Sequence, residues 1–412
     1  ADNNTAVGAS ALNANTTGAN NTAVGVGAMD SNTTGDRNVA VGANALDANT
    51  VGVRNNAIGY NALGADTQGS KSVAFGYGAI QTQNFTSATD VLNVGIGYNS
   101  LGANTTGVNN TAIGGESLDS NTTASNNTAV GTSALGANTT GAANTAVGAL
   151  SLDAVTEGDY NTGVGFTSGS KITTGTRNVA LGAFANQEGT TGNDNTYVGY
   201  AAGASTTTSS NNTAVGKSAM AANTTGTQNV ALGAEAMANN TTAGNNVAIG
   251  KDALRANTTG NTNIAIGTDA MTTNVAGDRN VAVGEQALQN MNPSGNVDTY
   301  NVGIGYNAGL SITTGTANAF IGSRAGDATT TGSTNTAIGT DALGANTTAS
   351  NNVAVGYDCL VSNTTGAQQV AVGGSAMASN TTGYNNTAVG WESMKANTTG
   401  ALNVAVGQQA LL

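Results

Sequence analysis

The residues able to do chemistry are few in this chain of 412 residues. It has no histidine and a single cysteine, Cys359. A nucleophile beside a base therefore has no candidate, and Cys359 stands where most repeats place a core alanine or serine. The neighbours Asp36 and Arg37, like Asp278 and Arg279, recur at one position of the repeat, which is typical of solvated turn charges. We expect no enzymatic activity.

Metal, cofactor and nucleic-acid sites have equally little support in the composition. The absence of His and of Cys pairs removes the usual zinc, iron-sulfur and haem arrangements. The chain also lacks the Gly-Gly-x-Gly-x-Asp pattern of calcium-binding β-rolls. Its 23 acidic and 11 basic residues give a net charge of -12 without a basic tract, and no apolar run reaches the roughly 20 residues that span a bilayer. We expect no cofactor, metal, nucleic-acid partner or membrane span.

Asn-Thr-Thr is a recurrent segment of the chain and is formally an N-glycosylation signal. Asparagine and threonine also supply turns and stack into hydrogen-bonded ladders between neighbouring repeats. The pattern favours ladders and leaves glycosylation open. The asparagines concerned are Asn15, Asn32, Asn104, Asn121, Asn138, Asn223, Asn240, Asn257, Asn346, Asn363, Asn380 and Asn397.

A repeat of 17 residues organises the whole chain. The segment Thr-Ala-Val-Gly at 5–8 recurs in related form up to 404–407, in 21 steps of 17 residues and two of 21, which gives 24 copies. Each copy joins a short β-branched stretch to Gly, Asn and Thr turn residues, and these disfavour helix. A unit this short cannot bury a core alone, so neighbouring copies must stack. We predict an all-β parallel β-solenoid, or β-roll, of about 24 coils, forming one domain over 1–412.

Two apolar columns define the predicted core, one from the strand and one from the opposite wall. The strand column is never polar, and we expect it to face the interior. A glycine follows it in every copy, as a positive φ or a close backbone approach requires. The predicted core residues are Val7, Leu12, Val24, Met29, Val41, Leu46, Ile58 and Leu63, and the predicted turn glycines are Gly8, Gly25, Gly42 and Gly59.

Alanine, or in a few copies glycine, occupies the middle of nearly every strand, on the face opposite the valine column. A strand position open to water normally carries Thr, Lys, Glu or Ser, so the alanine column predicts a second surface packed against this face. We therefore expect a homo-oligomer. Tyr197 and Phe320 are the exceptions in this column.

Several segments depart from the regular repeat. Loop insertions of four residues lie near 81–93 and 289–301. Two further segments, 165–175 and 305–315, replace large residues by small ones, and we expect a changed cross-section there. The two insertions and the aromatic residues Tyr197, Phe320 and Trp391 are the places where recognition of a receptor or glycan is expected.

The strand motif resembles the head repeats of trimeric autotransporter adhesins. It reads Asn-Val-Ala-Val-Gly at 38–42 and Asn-Val-Ala-Leu-Gly at 229–233. The fuller unit, Asn-Thr-Thr-Gly at 104–107 followed by Asn-Thr-Ala-Ile-Gly at 110–114, is similar to repeats of phage-type tail-fibre proteins that end in an intramolecular chaperone. The resemblance covers the whole chain and implies a trimeric, left-handed parallel β-roll.

The sequence thus predicts a structural fibre shaft or head that mediates extracellular adhesion or host attachment, located outside the cell, on a cell surface or on a virion. Two alternatives stay open. Coil ends with open strand edges could stack into an extracellular filament. The threonine column could bind ice, although adjacent Thr16 and Thr17 must point to opposite sides and leave one threonine per coil.

Overall fold

The structure is a computed structural model that describes residues 2–412, and it contains only strands and turns in this range. The chain forms two compact units, residues 1–208 and 209–412. Each unit is a parallel β-solenoid with twelve three-residue strands, one per coil, so the two together contain about 24 coils. The predicted fold class is confirmed in this respect.

The strands of the first unit are β1 (Thr5–Val7), β2 (Thr22–Val24), β3 (Val39–Val41), β4 (Asn56–Ile58), β5 (Gly69–Ser70), β6 (Val73–Phe75), β7 (Thr89–Asp90), β8 (Val94–Ile96), β9 (Thr111–Ile113), β10 (Thr128–Val130), β11 (Thr145–Val147), β12 (Thr162–Val164), β13 (Val179–Leu181) and β14 (Thr196–Val198).

The strands of the second unit are β15 (Thr213–Val215), β16 (Val230–Leu232), β17 (Val247–Ile249), β18 (Ile264–Ile266), β19 (Gly277–Asp278), β20 (Val281–Val283), β21 (Val297–Asp298), β22 (Val302–Ile304), β23 (Ala319–Ile321), β24 (Thr336–Ile338), β25 (Val353–Val355), β26 (Val370–Val372), β27 (Thr387–Val389) and β28 (Val404–Val406).

Within each unit, the register joins every strand to its equivalent one repeat later. Val39 lies opposite Asn56 in the β3–β4 pair, a separation of 17 residues. At the first insertion the separation grows to 21, with Val73 opposite Val94, and the ladder continues without a break. Each insertion contributes a two-residue strand that pairs in parallel with the preceding coil, β7 with β5 and β21 with β19. The extra residues are therefore accommodated outside the main ladder.

The coil closes on itself through residues with positive φ, including leucines. Leu46 has a φ of 51° and Met29 of 54°, a conformation that costs an ordinary residue roughly 1–2 kcal/mol. The Leu46 side chain is fully buried, and its N–H donates to the carbonyl of Ala62 in the next coil at 3.1 Å. Burial and the cross-coil bond offset the backbone cost.

The glycine after each strand has both properties that the sequence predicted for it. Gly8 has a φ of 134°, and a Cβ built on it would lie 2.4 Å from the carbonyl oxygen of Gly25. Gly25, Gly42 and Gly59 have φ values of 143°, 135° and 136° and the same close approach to the next coil. Any side chain there would strain the backbone and push the coils apart.

The strand faces are the reverse of the prediction. Val7 is 58% exposed and Ile58 38%, while Val24 and Val41 are only half-buried. The alanines between them, such as Ala40, are completely buried. The prediction that the valine column faces the interior is therefore wrong, because a 17-residue coil encloses a space that alanine fills together with the leucine column.

The second predicted core column lies where it was expected. Met29, Leu46 and Leu63 are fully buried, and Leu12 in the first coil is half-buried against the same cluster. The alanine face therefore packs inside its own coil, and the prediction that a second surface covers it is also wrong.

The two aromatic exceptions of the alanine column are core residues. Tyr197 and Phe320 are fully buried, so the prediction that these two side chains take part in recognition is wrong. A Cβ at Gly203 would lie 2.4 Å from the Tyr197 ring, so the glycine of that coil makes room for the tyrosine. The small residues of 165–175 and 305–315 leave the strand register unchanged, and Ile172 and Ile312 fill the interior there.

Candidate interaction surface

The outer sheet face of each unit consists of the first and third side chains of its three-residue strands. The third residue is Val, Ile, Leu or Phe in every coil, and the first is Thr, Val, Ile, Ala or Asn. Neither column contains a charge. Alternation along a strand sends these side chains outward once alanine faces the core. Each unit thus presents an uncharged, largely apolar stripe that runs from coil to coil along the direction of stacking.

One edge of this face carries the residue that follows the glycine after each three-residue strand. It is an aromatic residue in several coils and is about half exposed there. Stacked rings occur at Tyr60, Tyr77 and Tyr98 in consecutive coils. Trp391, which the sequence singled out, stands at the same position and is 52% exposed.

The other edge carries the residue two positions before each three-residue strand, which has positive φ and is charged in some coils. Arg177 and Asp194 occupy it in consecutive coils, and the Arg177 Nε donates to the Asp194 carboxylate at 2.6 Å. This hydrogen bond lowers the pKa of Asp194. Arg324 and Asp341, each at the third position after its strand, form a similar cross-coil pair, with 2.5 Å between the Arg324 Nε and the Asp341 Oδ1. Exposed pairs of this kind contribute little stability.

The acid-base neighbours considered for chemistry hold turns in place. The Asp36 carboxylate accepts a hydrogen bond from the Ala19 N–H at 2.6 Å, and Asp278 accepts one from the Asn261 N–H at 2.6 Å. Burial raises the pKa of Asp278. Each aspartate therefore satisfies a backbone donor of the preceding coil, while the arginine next to it stays on the surface.

The asparagines of the Asn-Thr-Thr segments form a buried ladder. The Asn32 Nδ2 donates to the Asn15 Oδ1 at 2.9 Å, and the Asn49 Nδ2 donates to the Asn32 Oδ1 at the same distance. Asn32 is fully buried, and its Nδ2 also donates to the carbonyl of Gly35. The predicted ladder is confirmed. A glycan on Nδ2 would break these bonds, so the folded coil has no room for one.

A second asparagine ladder precedes the strands, and the sequence analysis missed it. The Asn38 N–H donates to the Asn21 Oδ1 at 2.9 Å, and the Asn38 Nδ2 donates to the carbonyl of Gly52 at 2.8 Å. The near-invariant Asn before each strand was the available signal. Two buried amide columns therefore hold consecutive coils in register from inside.

The threonines behave as the ice-binding alternative requires only in part. The Thr33 hydroxyl is half-buried and donates to the carbonyl of Thr50 at 3.0 Å. Thr34 is exposed. The regular coil therefore offers one exposed threonine at this corner, because the neighbouring hydroxyl is used between coils.

Cys359 is completely buried and belongs to the core. Its Sγ lies 3.2 Å from the carbonyl oxygen of Ala371, and burial raises the pKa of the thiol to about 12. A thiolate is the reactive form of cysteine, so this side chain is inert at neutral pH.

The first insertion is fastened by a buried carboxylate. Asp66 replaces an asparagine of the ladder and is fully buried. Its oxygens accept hydrogen bonds from the N–H groups of Gly69 and Phe85, at 3.0 and 3.1 Å, and from the Gln83 Nε2 at 2.7 Å. Three donors compensate a buried charge. In the second insertion, the Tyr300 hydroxyl donates to Asp298, which also pairs with Arg279.

No family model matches the chain, and a comparison with characterised proteins finds no relative. Across residues 2–412, the structure has no helix long and apolar enough to cross a membrane. Within the same range, no group of three or more His, Cys, Asp or Glu side chains is placed to hold a metal ion. The outer sheet face, with its exposed apolar side chains, is therefore the candidate interaction surface.

Proposed function

We propose that this chain is a non-enzymatic segment of an extracellular adhesive fibre, and that its copies associate through the outer sheet face. The observation that carries the proposal is the uncharged valine and isoleucine column that remains open to water in both units. Large exposed apolar stripes on a regular scaffold mark protein–protein contacts.

The size of the face supports association of several copies. Twelve coils spaced about 4.8 Å apart, each with a strand about 10 Å long, give a face of roughly 550 Å² per unit. This area lies near the upper end of the largest apolar patch on a typical monomer, about 300–600 Å².

The number of copies that we propose is three. Parallel packing would bring Val and Thr columns of identical copies together with the same 17-residue repeat, so complementarity would continue from coil to coil. The resemblance to trimeric adhesin heads supports three copies. The mechanism of the fibre is mechanical: it projects a binding element or offers a repetitive surface on a cell or virion.

Contact with a receptor or glycan is assigned in this proposal to the exposed residues outside the outer sheet face. Tyr300 in the second insertion and Trp391 are about half exposed. Exposed aromatic side chains on a rigid scaffold are favourable recognition elements. Ice binding is the less favoured function, because Thr34 and its equivalents form a single exposed column.

The test is the native mass of the particle in solution. We expect three chain masses by light scattering for the unmodified protein. The double variant Val147→Glu and Val164→Glu puts two charges on the outer sheet face in neighbouring coils, and it should have one chain mass with an unchanged far-UV spectrum. The matched control is Thr123→Glu with Thr140→Glu, which are exposed at the opposite corner, and it should keep three chain masses.

A single-chain mass for the unmodified protein would contradict association through the outer sheet face. Growth into open-ended filaments would instead favour end-to-end stacking, and thermal hysteresis in purified single chains would favour ice binding. Dissociation of the threonine control would show that added charge, rather than its position, disrupts the particle.

A further inference from the structure

Three tyrosines form an exposed stack on consecutive coils of the first unit. Tyr60, Tyr77 and Tyr98 each follow the glycine that ends a strand, and they are 49%, 53% and 54% exposed. The ring centroids of Tyr60 and Tyr77 are 5.2 Å apart with 18° between the planes. Those of Tyr77 and Tyr98 are 5.6 Å apart with 19° between the planes.

The backbone holds these rings in register. The carbonyl of Tyr60 accepts the N–H of Gly78 at 3.0 Å, and that of Tyr77 accepts the N–H of Asn99 at 2.9 Å. Each tyrosine is thus tied to the coil that carries the next one. Each of the three side chains is about half exposed, so an oxidant in solution can reach the rings.

We propose that this stack is a site of oxidative tyrosine coupling, which joins neighbouring coils by a carbon–carbon bond. The oxidant is a peroxidase acting with hydrogen peroxide, or another one-electron oxidant of that class. Each phenol loses one electron and one proton, and the two phenoxyl radicals couple at ring carbons ortho to the oxygens. The two ring protons at the new bond then move through solvent to the two oxygens, which restores both phenols. In sum, two tyrosines and one hydrogen peroxide give one dityrosine and two waters.

Proximity favours coupling inside the chain over coupling between chains. Two groups held side by side react at a high effective concentration. Tyr77 has a partner on each side, and its two ortho carbons allow a bond to either or to both. Tyr306 and Tyr357 occupy the equivalent position in the second unit, but the coils next to them carry no tyrosine there.

The bond would lock coils that otherwise depend on hydrogen bonds and packing. A link between Tyr60 and Tyr77 closes a loop across one repeat, and a link between Tyr77 and Tyr98 encloses the first insertion. A covalent closure restricts the unfolded chain in the same way as a disulfide. This chain has only one cysteine, Cys359, so tyrosine supplies the available cross-link.

The experiment treats the purified full chain with peroxidase and hydrogen peroxide at low protein concentration. We expect the intact mass to fall by two hydrogens per bond, dityrosine fluorescence to appear, and peptide mapping to join Tyr77 with Tyr60 or Tyr98. Tyr77→Phe keeps an aromatic ring but removes the phenol, so it should abolish the intrachain product. Tyr357→Phe removes an exposed phenol outside the stack and should leave the yield unchanged.

Three results would overturn the proposal. The first is an unmodified intact mass after treatment that oxidises a free tyrosine peptide. The second is dityrosine found only between separate chains on a denaturing gel. The third is an equal intrachain yield in Tyr77→Phe and the unmodified protein. A far-UV spectrum of each variant ensures that these results compare folded molecules.

Discussion

The ring of Phe320 occupies the space that a side chain at Gly326 would need. A Cβ built on Gly326 would lie 2.5 Å from Cδ1 and Cε1 of Phe320, and one on Gly309 in the preceding coil would lie 2.7 Å from Cδ2. In the next coil, Ala337 stands at the position of Phe320, and Leu343 stands at the position of Gly326. A large residue on the strand thus occurs with a glycine on the opposite wall, and a small residue on the strand occurs with a large one there.

This exchange predicts that the two positions are energetically coupled. Phe320→Ala should destabilise the second unit by about 3–5 kcal/mol through the cavity it leaves. Gly326→Leu should cost at least about 1–3 kcal/mol from overpacking, with a further roughly 1–2 kcal/mol for its φ of 59°. The double variant rebuilds the Ala337 and Leu343 pattern, so its loss of stability should be clearly smaller than the sum of the losses of the two single variants.

Chemical denaturation of the four proteins completes the double-mutant cycle for this pair. Strictly additive losses would show that the ring and the missing side chain do not share a volume. A double variant as stable as the unmodified protein would show that the two packings are equivalent.

The same exchange explains which parts of the fold the sequence could predict. A repeat of constant length predicts stacking and parallel register, because each strand must meet its equivalent in the next coil. Two-residue alternation predicts two strand faces but leaves open which of them is inside. The pairing of Tyr197 with Gly203, and of Phe320 with Gly326, was the available signal that the alanine side is the core.

Two further features lay beyond the sequence patterns used. The φ of 51° at Leu46 contradicts local preference, because leucine rarely adopts it, and the cost is offset by contacts that exist only in the folded coil. The exposure of the valine column to solvent follows from the reversal of the two strand faces, which places alanine in the core. An interaction surface was expected on the alanine side, and the structure leaves the opposite side of the strand available instead.

The buried asparagine ladder predicts a large cost for losing one amide. The Asn121 Nδ2 donates to the Asn104 Oδ1 at 2.9 Å, and the Asn121 Oδ1 accepts from the Asn138 Nδ2 at 2.8 Å. Asn121→Leu would leave the buried Asn104 oxygen without a donor, which costs about 1–3 kcal/mol. Thr123→Ala, at an exposed position of the same coil, should change stability by no more than about 0.5 kcal/mol.

Thermal and denaturant unfolding of both variants would check this difference. This asparagine ladder ends at Asn138, because the next coil has Val155 at the equivalent position. The Asn138 Oδ1 therefore has no donor in the unmodified protein, as the Asn104 Oδ1 would have none in the leucine variant. A leucine variant as stable as the threonine control would mean that an orphaned amide oxygen carries no measurable penalty inside this coil.

The buried thiol predicts a loss of stability at high pH. Burial raises the pKa of Cys359 from 9.0 to about 12, so the unfolded chain releases this proton first. The thiol's contribution is complete below pH 9 and is lost as pH rises towards 12, by at most about 1.4 kcal/mol per pH unit. Cys359→Ala removes the group and places there the residue found in most other coils.

The measurement compares the free energy of unfolding of the two proteins between pH 7 and 11. Their difference should stay constant up to pH 9 and then shift in favour of Cys359→Ala. Parallel curves over the whole range, or rapid labelling of the native thiol at pH 8, would contradict the buried, protonated state.

Two aspartates of the first unit predict opposite responses to the loss of a carboxylate. Burial raises the pKa of Asp153, and its Oδ1 has no hydrogen-bond partner. The folded state therefore disfavours the charged form, and its contribution to stability falls as pH rises above about 4. Asp153→Asn should be more stable than the unmodified protein at pH 7, and the difference should shrink at pH 3.

Asp194 is the matched control, because a hydrogen bond from Arg177 lowers its pKa. Its contribution is present above the ordinary pKa near 4 and is lost as pH falls, so Asp194→Asn should be slightly less stable at pH 7 and should approach the unmodified protein at low pH. Unfolding curves at pH 3, 5 and 7 distinguish the two. The same sign for both variants would mean that net charge, and not the local surroundings of each carboxylate, determines the response.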